Sequence, residues 1–291
     1  MKVISTINFK GGVGKTTLTW LLAKHASERY GKKVLVVDSD AQMSLTTALS
    51  LDEEKGSYIA GFDSWYSEHK KRNKTLLDAL VKYDEYASGN SPHFNFPIDS
   101  GFIYEATPNL HFVPSVEDLY WIELELFNPE QVKGFIEALL GKIAHSGRAY
   151  DLVLFDCPPS FTALSYSILN NCTLVLIPTN PDVFAAKGLS TMVDGLRNRI
   201  TPWPAPKLAV FMNKAKTYRD HLTKESAYFL QGIHDAAHLL SQHPDTNVEV
   251  LNTWIPERAA IRKAMSFGGF PEEFRSDIDH LWHDIKKVVS I

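Results

Sequence analysis

The stretch Phe9-Lys-Gly-Gly-Val-Gly-Lys-Thr-Thr17 decides the fold of this chain. It lies between Lys2 to Asn8, whose Val and Ile residues predict a buried strand, and Lys15 to Tyr30, where leucines recur at helical spacing. Glycines let the backbone turn tightly and direct several N–H groups at one anion, and the N-terminal end of the following helix adds positive potential. A strand, a glycine-rich loop and a helix in this order predict a phosphate-binding loop.

The side chains of this loop suit a nucleoside triphosphate with Mg²⁺. Lys15 is placed to reach the β- and γ-phosphates, and the hydroxyl of Thr16 to hold the metal ion. A strict P-loop pattern has glycine at the position of Phe9, so the loop is a variant. The remaining loop residues are predicted to contact the nucleotide, namely Gly11, Gly12, Val13, Gly14 and Thr17.

Strand-like and helix-like segments alternate along the chain, which predicts an α/β fold with a mainly parallel sheet and helices on both faces. Further strands are predicted at Val34 to Val37, Leu152 to Phe155, Thr173 to Ile177, Leu208 to Phe211 and, with a weaker pattern, Val248 to Trp254. Residues 1–291 are interpreted as one domain because no linker-like composition divides them. The stretch 51–112 is the least regular, and we expect it to contain short helices and an exposed insertion.

Composition excludes several classes of protein. With 44% hydrophobic and 22% charged residues, the chain is neither a disordered protein nor a coiled coil. None of its apolar runs approaches the roughly 18 residues that a membrane-spanning helix needs. The two cysteines, Cys157 and Cys172, have neither metal-site nor disulfide spacing. These features favour a reduced, cytoplasmic setting.

Acidic and amide side chains follow three of the predicted strands. Asp38 and Asp40 end the second strand, where a carboxylate can orient the water that attacks a γ-phosphate, or can cap a turn. Asp156 follows four apolar residues, the Walker B arrangement, and would hold Mg²⁺ through water. The amide of Asn213 suits the edge of adenine. Guanine recognition needs an aspartate at position 216, where this chain has Lys216, so ATP is favoured over GTP.

The net charge of −4 hides a basic stretch, since Ala185 to Lys224 contains eight basic and two acidic residues. Basic residues that share a face bind DNA phosphates without sequence specificity, but the same pattern also describes a solvated helix face. The candidate DNA contacts are Lys187, Lys214, Lys216, Arg219, Arg258, Arg262 and Lys263. Lys10, a second lysine at the start of the loop, is either a surface lysine or a cationic finger for a partner subunit.

The loop Lys10 to Thr17 resembles the deviant Walker motif of the ParA/MinD-type ATPases. The resemblance continues, in the order found in that family, through Val37-Asp-Ser-Asp-Ala-Gln42, Phe155-Asp-Cys-Pro-Pro159 and Trp254-Ile-Pro-Glu257. It implies ATP and Mg²⁺ as cofactors and an ATP-bound homodimer in which Lys10 contacts the nucleotide of the partner subunit. It also implies that Asp40, beside Asp38, serves hydrolysis and that the backbone near Pro256 contacts adenine.

Among these ATPases the chain is most similar to the ParA type. That resemblance implies a cytoplasmic, nucleoid-associated switch that binds double-stranded DNA non-specifically and positions a plasmid, a chromosome or a protein compartment such as a carboxysome. Hydrolysis would be slow and stimulated by a ParB-like or other adaptor protein. The alternative is a MinD-like membrane switch, with the amphipathic segment Asp277 to Ile291 as an interfacial anchor. Its polar face mixes aspartates with lysines, so we expect no stable membrane association.

Overall fold

The chain folds around a mainly parallel sheet, and its central strands correspond to the predicted apolar segments. The computed structural model describes residues 1–50, 58–72, 74–98, 102–121, 132–199, 206–258, 265 and 270–289. The strands found there are β1 Lys2–Thr6, β2 Val34–Asp38, β3 Tyr104–Thr107, β4 Leu110–Val113, β5 Leu152–Asp156, β6 Leu174–Thr179, β7 Lys207–Met212, β8 Thr217–Tyr218, β9 His221–Leu222 and β10 Val248–Val250.

Eight of these strands form one sheet in the order β10-β7-β6-β1-β5-β2-β4-β3. Every neighbouring pair is parallel except β3 with β4. The strands β8 and β9 pair separately as a short antiparallel hairpin. The predicted fold class, an α/β domain with a mainly parallel sheet, is therefore confirmed.

Helices cover both faces of the sheet. They are α1 Lys15–Tyr30, α2 Ser44–Ser50, α3 Tyr58–Lys71, α4 Leu76–Ala87, α5 Phe135–His145, α6 Ala163–Asn170, α7 Ala185–Arg197, α8 Lys224–Leu240 and α9 Arg275–Val289. Successive residues of β2 show why both faces are buried. Val34 and Val36 pack with α1, α2 and α9, whereas Leu35 and Val37 pack with α4 to α8. Because β2 is buried on both faces, its sequence is a continuous apolar run.

The strand registers bring the polar strand ends together. Asp38 at the end of β2 and Thr6 at the end of β1 both lie opposite Asp156 on β5. Thr179 at the end of β6 lies opposite Met212, the last residue of β7, so Asn213 emerges at the same edge. Ligands of open parallel sheets bind at this carboxyl edge.

Several strand boundaries differ from those predicted. β1 ends at Thr6 rather than Asn8, because the Asn8 side chain turns to donate to the Pro178 carbonyl at 2.9 Å. β10 ends at Val250 rather than Trp254, although the Ile255 amide still donates to the Met212 carbonyl at 2.9 Å. The helix α1 has the predicted bounds.

The described part of the stretch 51–112 contributes to the core. One face of α4 is buried through Leu76, Ala79 and Leu80, and β4 is a fully buried strand beside β2. α4 and β4 are thus parts of the core and do not belong to an exposed insertion. The boundaries of the insertion remain a prediction.

The last helix packs its apolar face onto the sheet. Ile278, Leu281, Trp282 and Ile285 are each at most 1% exposed and lie in the core shared with α1. This packing leaves the apolar face of α9 unavailable as an interfacial anchor. In the described part of the chain, no helix combines the length and the apolar character that crossing a membrane requires.

The burial of Trp282 can be tested by unfolding. Trp282→Ala should lower the free energy of unfolding by about 3–5 kcal/mol, because it leaves a large cavity between α9 and the sheet. The exposed neighbour His283 provides the control, since His283→Ala should change stability by less than about 0.5 kcal/mol. Urea unfolding measures both, and equal effects of the two substitutions would contradict the packing of α9.

Candidate nucleotide-binding site

The loop between β1 and α1 has the conformation of an anion cradle. Gly12 and Gly14 have φ angles of 73° and 90°, in the left-handed region that favours glycine. Gly14 also leads directly into α1, whose N-terminus has neither a side-chain cap nor an acidic residue in its first turn. The first N–H groups of α1 are therefore free to bind an anion.

Gly14 is required by space as well as by φ. A Cβ atom at this position would lie 2.3 Å from the side-chain nitrogen of Asn213, which is itself 7% exposed. The close approach joins the phosphate loop to the end of β7. The structure thus brings together two predicted parts of the site, the loop and Asn213, that are 200 residues apart in sequence.

Lys15 is a buried cation beside buried acids. Its ammonium donates to the Asn8 carbonyl at 3.1 Å, and the residue is 7% exposed. Burial lowers the pKa of Lys15, and the carboxylates of Asp156 and then Asp40 oppose that shift. Because an ammonium group has three N–H donors, Lys15 can donate to a phosphate as well as to Asn8.

Asp156 is a buried carboxylate close to the Thr16 hydroxyl. It is 1% exposed, and neither of its oxygens has a hydrogen-bond partner among the described residues. Burial raises the pKa of Asp156, the charge of Asp38 raises it further, and the Thr16 hydroxyl opposes both. A buried acid without a donor beside a hydroxyl fits a site for a hydrated Mg²⁺ ion, so the residues present fit the predicted cofactor.

Asp38 and Asp40 lie in different surroundings, although both are predicted to take part in hydrolysis. Asp38 accepts hydrogen bonds from the Thr46 amide and hydroxyl, both at 2.7 Å, and from the Asp40 amide at 3.1 Å. Burial raises the pKa of Asp38 to about 6. Asp38 therefore holds α2 in place from a buried position, and its catalytic role stays a prediction. Asp40 lines the cleft, with its carboxylate accepting from the Gln42 amide at 3.0 Å.

A cleft of about 760 Å³ extends from the phosphate loop and is large enough for a nucleotide. The predicted residues Asn213 and Pro256 both line it, and Ala215 pairs with Pro256 in a short parallel bridge. The cleft also contains residues that were not predicted as nucleotide contacts, because loops from distant parts of the chain bring them there. They are Gln42, Ser44, Lys214, Ile255, Glu257 and Arg258.

Lys10 lies at the rim of the site, away from the phosphate cradle. Its ammonium forms an ion pair with Asp182 and lies 5.7 Å from the centre of the Phe184 ring. Its side chain is 46% exposed. Lys10 thus differs from Lys15, which is buried within the loop.

The candidate DNA contacts differ in their surroundings. Lys214 and Arg258 line the nucleotide cleft, where Lys214 binds the Gly12 carbonyl and Arg258 donates to the Glu273 carbonyl at 3.0 Å. The DNA contact of these two residues stays a prediction. Three candidates remain exposed at other positions, namely Lys187, Lys216 and Arg219. Arg262 and Lys263 lie outside the described residues.

Comparison with known proteins identifies the family. The model of the AAA domain family matches residues 1–202, which contain the phosphate loop, both acidic motifs and the Lys10–Asp182 pair. The chain belongs to the ParA/MinD family of P-loop ATPases. It is 27% identical over 205 residues to the chromosome partitioning protein ParA of Caulobacter vibrioides, covering 69% of this chain and 66% of that protein.

A second relative, the chromosome-partitioning ATPase Soj of Thermus thermophilus, is 31% identical over 190 residues. That match covers 65% of this chain and 59% of Soj. An uncharacterized protein of Mycobacterium tuberculosis is 32% identical over 204 residues, covering 69% of this chain and 54% of that protein. The chain thus spans between about half and two thirds of the length of these relatives.

Solved structures share the fold. Apo McdA of Cyanthece superposes with a TM-score of 0.72 at 20% identity, covering 99% of both chains. MinD of Pyrococcus horikoshii, in complex with Mg-ADP, superposes with a TM-score of 0.61 at 22% identity, covering 99% of this chain and 96% of MinD. Membership in this family of ATPases confirms the prediction of ATP and Mg²⁺ as cofactors, and the loop, Thr16 and Asp156 provide a site that fits them.

The role of Asp156 gives a test that needs no nucleotide. Asp156→Asn should raise the free energy of unfolding by about 1–3 kcal/mol, because burial of the charge and its repulsion by Asp38 outweigh the opposing effects of the Thr16 hydroxyl and Lys15. The pKa of Asp156 is raised in the folded protein, so the wild type loses stability as the pH rises above the unfolded pKa of about 4. The advantage of the variant should therefore be larger at about pH 8 than at about pH 5.

Urea unfolding at both pH values measures this difference. The same variant should lose the Mg²⁺-dependent tightening of ATP binding, which titration calorimetry detects. A variant that is less stable than the wild type at both pH values would show that the carboxylate has a structural partner.

Proposed function

We propose that this protein is a ParA-type switch ATPase that closes as a homodimer over two ATP molecules, binds DNA in that state and positions a cargo. The observation that carries this proposal is the separation of two lysines on one phosphate loop. Lys15 is buried in the cradle, whereas Lys10 points outward at its rim. A cation held outside its own cradle is placed to contact a phosphate bound to a second copy.

Hydrolysis is assigned to Asp40. This carboxylate lies in the cleft on the loop after β2, and its main-chain carbonyl accepts a hydrogen bond from Ser115 at 2.7 Å. Anchored in this way, Asp40 can orient a water toward the γ-phosphate. Loss of the γ-phosphate then removes contacts that favour the closed state. We propose that turnover is slow and that an adaptor protein stimulates it.

The surface around Lys10 supports pairing with a second copy. Val183 and Phe184 are 71% and 68% exposed, and they follow Asp182, the ion-pair partner of Lys10. Two adjacent apolar side chains at the rim of the site would be covered by the facing rim of an identical subunit. Lys10 would leave Asp182 when the dimer closes.

Non-specific DNA binding is proposed for the exposed basic residues Lys187, Lys216 and Arg219, with Arg262 and Lys263 as further candidates. Arg219 lies at the tip of the β8–β9 hairpin, and its guanidinium stacks 5.3 Å from the centre of the Tyr218 ring. Dimerisation would double this set of cations. Sequence-independent phosphate contacts of this kind would retain the protein on the nucleoid of the cytoplasm.

The relatives suggest the type of cargo. Two of them are named for chromosome partitioning, and a similar structure from Borrelia burgdorferi is described as a plasmid partition protein. We therefore propose a plasmid or chromosome with a ParB-like adaptor, with a protein compartment such as a carboxysome as the alternative cargo. A MinD-like membrane role is less well supported, because the apolar face of α9 is buried.

Lys10→Ala should leave ATP binding by the monomer intact but weaken the ATP-dependent dimer at least about tenfold, the effect of losing one charge-assisted hydrogen bond. Asp182→Asn is the matched control, since it frees Lys10 and should preserve the dimer. Sedimentation with a non-hydrolysable ATP analogue measures both. An unchanged dimer constant for Lys10→Ala would contradict the trans contact.

Asp40→Ala should lower ATP turnover by about 10²–10⁴-fold, because the attacking water loses its orienting carboxylate. ATP affinity and dimerisation should be retained. The exposed Asp63 on α3 serves as the control, since Asp63→Ala should leave turnover unchanged. Phosphate release at saturating ATP is the measurement, and normal turnover by Asp40→Ala would show that the role is misassigned.

Binding to random-sequence duplex DNA should require ATP and weaken as salt rises. Lys216→Ala and Arg219→Ala should each reduce the salt dependence by about one phosphate contact, without changing ATP affinity. Fluorescence anisotropy at several salt concentrations measures this. Binding that is absent, or equal with and without ATP, would contradict the DNA-bound state.

A further inference from the structure

Lys214 adopts a backbone conformation that is unusual for its residue type. Its φ angle is 55°, in the left-handed region that side chains other than glycine rarely occupy. Such a conformation persists where the surrounding structure holds it in place, often at a functional site. Lys214 directly follows Asn213 at the end of β7 and lines the nucleotide cleft.

Both residues bind consecutive carbonyl groups of the phosphate loop. The Lys214 ammonium donates to the Gly12 carbonyl at 2.6 Å, and the Asn213 amide donates to the Val13 carbonyl at 2.7 Å. When a loop turns its N–H groups toward an anion, its carbonyl groups face the other way and need donors. Asn213 and Lys214 supply these donors.

Backbone hydrogen bonds on both sides hold Asn213 and Lys214 in place. The Asn213 amide N–H donates to the Thr179 carbonyl of β6 at 2.9 Å. The Ala215 amide, immediately after Lys214, donates to the Ile255 carbonyl at 2.9 Å, beside Pro256 in the cleft. Asn213 and Lys214 are thus anchored between the sheet and the segment predicted to contact the base.

We infer that Asn213 and Lys214 form a clasp that holds the phosphate loop in its anion-binding conformation, and that Lys214 is a positioning residue for the nucleotide. The clasp keeps the loop ordered before a nucleotide arrives, so less conformational freedom is lost on binding. Its positive charge also lies beside the loop that receives the phosphates. The inference holds whether or not the protein binds DNA.

Stopped-flow displacement of a fluorescent mant-ATP tests this role. Lys214→Ala should raise the dissociation rate of mant-ATP about tenfold to a hundredfold, since a hydrogen bond from a charged donor is lost. The association rate and the turnover rate at saturating ATP should change by less than about threefold. Hydrogen exchange should also show faster exchange of the amides from Gly12 to Gly14 in the nucleotide-free variant.

Two further variants distinguish an effect of the clasp on nucleotide release from an effect on folding or on surface charge. Lys214→Gly adopts the left-handed conformation without strain, so it should fold at least as well as the wild type and still release mant-ATP faster. Lys82→Ala removes an exposed lysine of α4 that pairs with Glu85 at 2.8 Å, and it should leave the release of mant-ATP unchanged. Release at or below the wild-type rate by both Lys214 variants would overturn the inference. Release by Lys82→Ala as fast as by the Lys214 variants would overturn it as well.

Discussion

Three charged groups buried together at the carboxyl edge of the sheet govern the rest of this structure. Lys15, Asp38 and Asp156 are each at most 7% exposed. Burying charges is costly unless each is paired or hydrogen-bonded. Asp38 is satisfied by Thr46, and Lys15 by Asn8, but Asp156 has no protein donor among the described residues. The protein therefore holds a site that is completed by a ligand and its metal ion.

The fold brings this edge together from segments that are far apart in sequence. The phosphate loop follows β1, Asp38 and Asp40 lie at the end of β2, and the proposed metal-binding carboxylate of Asp156 ends β5. The residues proposed to clasp the loop follow β7. Because β1 lies between β5 and β6 in the centre of the sheet, the loop has neighbours on both sides. In the proposed switch, a change in the bound phosphates would alter contacts with elements on both sides of the loop.

The sequence predicted the parts of the protein whose structure is local. The bounds of α1 and the presence of the central strands follow from the pattern of apolar residues. The phosphate loop follows from the spacing of its glycines. The clasp from Lys214 to Gly12 and the burial of Asp38 could not be predicted, because both depend on which loops meet at the edge of the sheet. The same reason explains Arg258, which a helical charge pattern assigned to DNA but which lines the cleft.

The most direct test of the account is titration calorimetry of the nucleotide-free protein with ATP, in the presence and absence of Mg²⁺. The account predicts one ATP per chain, tighter binding with Mg²⁺, and no detectable binding by the Lys15→Ala variant. Equal binding by wild type and variant, or the absence of binding by a folded wild type, would contradict the claim that these buried charges form a nucleotide site.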